Sequence, residues 1–284
     1  MAVRYLNARM SAKIGRQVHF EKPPVVEVAL SVQFEPLRKL DGARVGLYWA
    51  GIKTRFPTIE QQPRLDPVVE RFDVTDYAPR FLRIEFGEAV PRFWFLTTNE
   101  SELLQVQQDR FIHNWRKKNV EPYPHYENLR ESFANELKAF SNFLAAEGIG
   151  EIVPNQCEVT YINHIEAEAA QGAHARVEDV LTVWSGLQNP ELLPSQLESA
   201  DVRLRYVISQ EGRKLGRLHI ELQPAFRQQD GRPIWVLILT ARGTPLTRDL
   251  GGVVPFMDVG RDHMLEAFLA ITTRRLQEQW ELRK

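Results

Sequence analysis

Leu47-Tyr48-Trp49-Ala50-Gly51-Ile52, followed by Leu82-Arg83-Ile84-Glu85-Phe86 and then by Pro91-Arg92-Phe93-Trp94-Phe95-Leu96-Thr97, recurs in altered form in the second half of the chain. The counterparts there are Thr182-Val183-Trp184-Ser185-Gly186-Leu187, Leu218-His219-Ile220-Glu221-Leu222 and Pro233-Ile234-Trp235-Val236-Leu237, in the same order and at nearly the same spacing. Chance resemblance rarely keeps both, so the pattern predicts a unit of about 130 residues used twice. Such a repeat speaks to architecture and carries no chemistry by itself.

Working outward, residues 1–22 read as a polar, basic extension that Pro23-Pro24 ends by enforcing an extended backbone. In Val26-Glu27-Val28-Ala29-Leu30-Ser31-Val32-Gln33-Phe34 every even position is apolar and the odd ones are mostly polar, the period of a half-buried strand. A helix is expected near residues 43–56, with Gly51 inside it. Glycine costs about 1 kcal/mol in a helix interior, so Gly51 and its counterpart Gly186 suggest helices pressed close to a neighbouring backbone. Strands are expected near 69–75, 81–86, 93–97 and 103–117, with turns at Tyr77-Ala78-Pro79 and Gly87-Glu88. The apolar positions Tyr126, Leu129, Phe133, Leu137, Phe140 and Leu144 then draw one helical stripe, which Gly148 and Gly150 end.

The second half restarts with a strand over residues 158–165 and a helix over 177–187. Strands follow near 202–209, 216–223 and 234–242, with turns at Glu211-Gly212 and Asp230-Gly231. A last helix from about Val259 carries Leu265, Phe268, Thr272, Leu276 and Trp280. The paired glycines of Asp249-Leu250-Gly251-Gly252 exclude a core strand there. Each half therefore reads β-α-β-β-β-(β)-α, and the expected fold is α+β. Its two repeats, residues 23–150 and 151–284, would pack as one unit, forming a curved antiparallel sheet with the long helices on one face. By fold analogy this order is TATA-binding-protein-like or helix-grip-like.

Composition narrows the class. The chain of 284 residues is 43% hydrophobic, and Lys plus Arg (36) balances Asp plus Glu (37), so no overall field favours nucleic acid or an anionic membrane. Apolar runs such as Val236-Leu237-Ile238-Leu239 are far too short to cross a bilayer, and Met1 to Phe20 has no secretory pattern. A cytoplasmic protein without membrane contact is expected. The single Cys157 excludes an intramolecular disulfide and reads as a buried core thiol.

The segment from Phe20-Glu21-Lys22-Pro23-Pro24-Val25 to Phe34, and the segment Leu104-Gln105-Val106-Gln107-Gln108-Asp109-Arg110-Phe111-Ile112-His113-Asn114-Trp115-Arg116, resemble a sporadically distributed family of uncharacterised bacterial proteins. The likeness runs over nearly the whole chain from Phe20. That family has no assigned catalytic residues, so the resemblance transfers no mechanism. Its sporadic distribution implies accessory or mobile genes, phage-defence clusters included.

Candidate chemistry concentrates at residues 107–116. Apolar positions change phase between Val106 and Phe111, which calls for a bulge or bend near Gln107 to Arg110. Asp109 and Arg110 could bind a polar ligand there, with Trp115 as a stacking surface and His113 as an acid or base. The competing reading makes Asp109 and Arg110 ion-pair partners and packs His113. Glu85 and Glu221 hold equivalent strand positions, either as a carboxylate pair or as ordinary members of the solvated sheet face. The seven histidines show no metal-ligand spacing, and no phosphate-loop, dinucleotide or serine-hydrolase motif occurs, so no metal or cofactor is expected. Arg116-Lys117-Lys118 would serve nucleic acid only if aligned with an aromatic such as Trp94 or Trp115. Trp49, Trp94, Trp184 and Trp235 recur in both halves and are expected in the core.

The leading expectation is thus a non-enzymatic binding or assembly protein whose sheet forms a groove for a small ligand or protein partner, with a homodimer plausible through exposed sheet edges. A nucleic-acid-binding saddle comes second. An enzyme using Asp109, Arg110 and His113, with Glu85 or Glu221, comes third.

Overall fold

A computed structural model describes residues 19–72, 90–118, 122–167, 173–186, 191, 193 and 195–283. The alternating stretch forms β2 (Val25–Phe34), preceded by the short β1 (His19–Phe20). After it come α1 (Gly42–Ile52), β3 (Thr58–Gln62), β4 (Arg92–Leu96), β5 (Glu102–Gln107), β6 (Arg110–Arg116) and α2 (Tyr126–Ala146). The second half supplies β7 (Pro154–Glu166), β8 (Val202–Gln210), β9 (Arg213–Phe226), β10 (Pro233–Gly243), α3 (Val253–Ile271), α4 (Arg274–Gln279) and β11 (Leu282–Arg283).

The protein is α+β, with one antiparallel sheet of nine strands in the order β3-β4-β5-β6-β2-β7-β10-β9-β8. β2 and β7 pair at its centre. On either side the last strand of each half, β6 or β10, returns next to that half's first strand. β1 and β11 form a separate two-stranded ladder.

Strand alternation separates two faces. Val28, Leu30, Val32 and Phe34 point into the core, while Glu27, Ala29, Ser31 and Gln33 point the other way. The helices cover the apolar face. The expected stripe of α2 is buried, and Phe140 stacks on Phe111 of β6 with ring centroids 5.1 Å apart. From α1, Tyr48 meets Phe95 and Phe140 edge-on. Against β10, α3 comes so close at Gly260 that an added Cβ would stand 2.9 Å from the Cβ of Ala241. Cys157 is fully buried, as its apolar setting implied, and burial pushes its thiol pKa up.

Several expectations are corrected. The stretch 103–117 is two strands, not one, joined by the two-residue turn Gln108-Asp109. Gln107 and Arg110 face each other across it on one side of the sheet, three positions apart, and this turn, not a bulge, switches the apolar phase. Residues 69–72 form no strand; they belong to a strap described below, while residues 73–75, the strand expected at 81–86 and the turns at Tyr77-Ala78-Pro79 and Gly87-Glu88 lie outside the described residues. The helix expected over 177–187 shrinks to a single 3-10 turn, Val177–Asp179. β-Branched Val180, Thr182 and Val183 favour helix weakly, and Leu181 instead bridges Thr272 while Thr182 N–H donates to the Ile271 carbonyl.

The last helix starts at Val253 rather than near Val259 and breaks at Thr272, whose backbone is extended; Leu276 and Trp280 lie beyond the break. Neither Gly51 nor Gly186 marks a close approach, because a Cβ at either would meet nothing within 4 Å. Gly51 sits exposed in the last turn of α1, and Gly186 has φ +67°, a turn conformation. The short polar edge strand β3 gave no sequence signal.

Candidate functional site

The sheet face turned away from the helices carries a row of polar side chains, one or two from each of six neighbouring strands. In sheet order these are Gln107, Arg110, Gln33, Gln156, Arg242 and the pair Arg217 and His219. Across them runs an extended strap, residues 63–72, and the row holds it chiefly by its main chain. Gln107 pairs with both backbone groups of one residue: its Oε1 accepts the Leu65 N–H at 2.9 Å and its Nε2 donates to the Leu65 carbonyl at 3.0 Å. Arg110 donates to the Asp66 carbonyl (2.9 Å) and to Gln33 Oε1 (2.6 Å), and Gln33 Oε1 also accepts the Val68 N–H (2.9 Å). Gln156 accepts the Glu70 N–H at 3.2 Å, and Arg217 donates to the Arg71 carbonyl at 2.7 Å.

One strap side chain is bound as strongly as the backbone. The Glu70 carboxylate, 6% exposed, takes hydrogen bonds from Arg217 Nη1 (2.5 Å) and His219 Nε2 (2.7 Å), with Arg242 Nη1 at 3.6 Å. Burial raises its pKa, but the hydrogen bonds and charges of His219 and Arg217 outweigh this and hold the carboxyl below the ordinary range. Arg217 also lies over the Phe72 ring, 4.6 Å from its centroid. In contrast, no residue from 63 to 72 is buried and Val69 is 50% exposed, so apolar burial does little to retain the strap.

The sequence-derived residues fall on two faces. Asp109, in the β5–β6 turn, accepts from Gln107 Nε2 at 2.5 Å and lies 3.9 Å from Arg64. With Arg110 it sits at one end of the row, and burial pushes the Arg110 pKa down. His113 and Trp115 point to the helix side: His113 Nε2 is 3.4 Å from Glu102 Oε2, and Trp115 meets Tyr123 edge-on at 5.4 Å. The structure therefore does not bring them to Asp109 and Arg110. Glu221 lies on the strap face, 3.7 Å from Arg203, and Glu85 is outside the described residues. Glu70, Gln33, Gln107, Gln156, Arg217 and Arg242 were missed, although surplus glutamines at strand positions were a visible sign.

Trp94 is not a core residue. It lies on the strap face, with Arg92 and Arg116 5.5 and 5.6 Å from its ring centroid, and its Nε1 donates to Gln105. The network continues from Gln105 through Asn114 to Glu27, whose pKa burial raises. Among the described residues no cluster of three metal-ligating side chains occurs, and no described helix is long and apolar enough to cross a membrane. Comparison with family models, with curated proteins and with solved structures gave no match.

Proposed function

We propose that this is a cytoplasmic binding or assembly protein without catalytic activity, whose polar sheet face takes up an extended polypeptide by its main chain and one acidic side chain. The strap carries this reading. It occupies the face as such a ligand would, through groups that recognise any peptide backbone plus a cage for one carboxylate. Its attachment is polar and no strap residue is buried, so a chain of the same chemistry in trans could make the same bonds once the resident strap is loosened. Among the described residues β3 and β8 are the outer strands of the sheet, and such edges suit association with a partner or second copy. The mirrored strand order supports descent of the halves from one duplicated unit with a saddle-like or helix-grip arrangement. An accessory or phage-defence role rests on the family resemblance alone.

The test uses a labelled peptide of residues 63–72 and fluorescence anisotropy. Glu70→Ala, which loosens the resident strap, is expected to bind it at least about tenfold more tightly than the wild type, as removal of a competing intramolecular ligand requires. A variant with a freed strap that still ignores the peptide would sink the reading.

A nucleic-acid saddle remains the second reading, because Trp94 with Arg92 and Arg116 pairs an aromatic with cations on the same face. It requires retardation of single- or double-stranded oligonucleotides at low salt, weakened by Trp94→Ala. The enzyme reading lacks a common face for Asp109, Arg110 and His113.

A further inference from the structure

Towards its end the strap turns alternate residues to the sheet. Val68, Glu70 and Phe72 are half-buried, whereas Val69 and Arg71 between them stand exposed. A period of two is that of an extended chain lying flat on a surface. The face therefore meets a spaced set of side chains as well as the main chain, and three strap side chains come to charged groups of the sheet.

Glu70 uses both carboxylate oxygens. Oε2 accepts from Arg217 Nη1 and Oε1 from His219 Nε2, with Nη1 of Arg242, whose guanidinium also bonds Glu158, 3.6 Å from Oε1. An amide here would offer one acceptor oxygen and turn its NH2 group towards one of these donors. Two residues on, the Phe72 ring lies beside two cations at once, with Arg217 Cζ 4.6 Å and Lys214 Nζ 5.6 Å from its centroid. The face of an aromatic ring attracts cations through its quadrupole, which an aliphatic side chain lacks.

Near the other end of the strap the sign is reversed. Arg64 Nη2 lies 3.9 Å from Asp109 Oδ1, a carboxylate 3% exposed at its side chain and held in the β5–β6 turn by Gln107 Nε2. The sheet is thus acidic where the strap begins and rich in cations where it ends. A chain laid down in the opposite direction would bring its acid to Asp109 and its base to Arg217, which juxtaposes like charges.

On the reading that the strap occupies the place of a ligand in trans, we infer that the face selects a partner polypeptide of one direction and one signature: a basic residue, a glutamate six positions later and an aromatic residue two positions after that, as in Arg64, Glu70 and Phe72. The base meets Asp109, the carboxylate enters between Arg217 and His219, and the ring settles against Arg217 and Lys214. The positions equivalent to Val69 and Arg71 face outward and are unrestricted.

The test is fluorescence anisotropy of labelled, C-terminally amidated peptides with the full-length Glu70→Ala chain. The parent peptide has the sequence of residues 63–72; the others carry Glu70→Gln, Phe72→Leu, Arg64→Gln or Val69→Ser, and one reads the parent backwards. The Glu70→Gln and reversed peptides are expected to bind at least about tenfold more weakly than the parent. Phe72→Leu should lose about three- to fivefold and Arg64→Gln about two- to fivefold, while Val69→Ser binds as the parent does. Residual competition from the resident strap lowers every affinity by one factor, so the ratios belong to the site. Phe72→Ala is for that reason an equivalent host should Glu70→Ala fail to fold. If the parent binds and the Glu70→Gln and reversed peptides bind equally well, the signature is overturned and main-chain capture stands; if no peptide binds either host, both fall. A wild-type chain that elutes as a dimer, beside a monomeric Glu70→Ala chain, would give the face to a second copy and overturn the proposal.

Discussion

Glu70→Ala is expected to detach the strap from the sheet and to lower the free energy of unfolding by about 2–3 kcal/mol. Breaking a buried ion pair from one side costs about 3–5 kcal/mol when the remaining charge stays buried. Here detachment of the strap lets water reach Arg217 and His219, which are 13% and 18% exposed at their side chains, and so limits the loss. Urea unfolding should report the lower stability, and trypsin should cut after Arg64 or Arg71 in the variant long before it cuts the wild type. Acid should act in the same direction. Because Glu70 is held below its ordinary pKa of 4.5, its stabilisation is complete above that value and is lost as pH falls through the lower, folded-state pKa. The protection factors of the Leu65, Val68 and Glu70 amides, taken relative to the slower intrinsic exchange in acid, should therefore fall below pH 4.5 in the wild type and change far less in Glu70→Gln. Unaltered protection of the strap in acid would contradict the role given to this carboxylate.

Gly243→Ala should be more damaging still, costing about 3 kcal/mol or more and most of the soluble yield, at the upper end of overpacking effects. Gly243 stands opposite Gly216 in the β9–β10 ladder. A Cβ there would overlap the Leu215 carbonyl and come within 2.6 Å of the Phe256 ring and 2.7 Å of the Gly216 Cα. All three obstacles are fixed, the Leu215 carbonyl and Gly216 by strand pairing and Phe256, a residue of α3, by its complete burial. Gly51→Ala is the control: its Cβ meets nothing within 4 Å, and relief of glycine's backbone entropy should add about 0.5 kcal/mol. Thermal unfolding of both variants tests the pair, and a Gly243→Ala protein that melts with the wild type would refute the packing argument.

What the sequence disclosed and what it hid follow from the range of the interactions involved. The stripe from Tyr126 to Leu144 and the alternation of β2 are local periodicities, so both elements were legible. The Glu211-Gly212 turn was legible because a glycine advertises positive φ, here 51° and 82°. Gln108-Asp109 makes an equally tight turn without positive φ, and so looks like uninterrupted strand. The strap was opaque for a different reason. Val68-Val69 resembles the start of a strand, and only the sheet order reveals that Gln107, Gln33 and Gln156, far apart in the chain, form one row. Arg110 was found by its local setting, yet its partners Gln33 and Asp66 were not.

The central seam bears on how the chain acquires its structure. β2 can pair with β6 once residue 116 has been made, but its other side must wait for β7, which begins at Pro154. Until then the longest described strand of the first half keeps one edge open, and loop closure of this length is entropically slow. On the ribosome, the first half therefore passes through an interval of vulnerability to mispairing that ends only when the second half emerges.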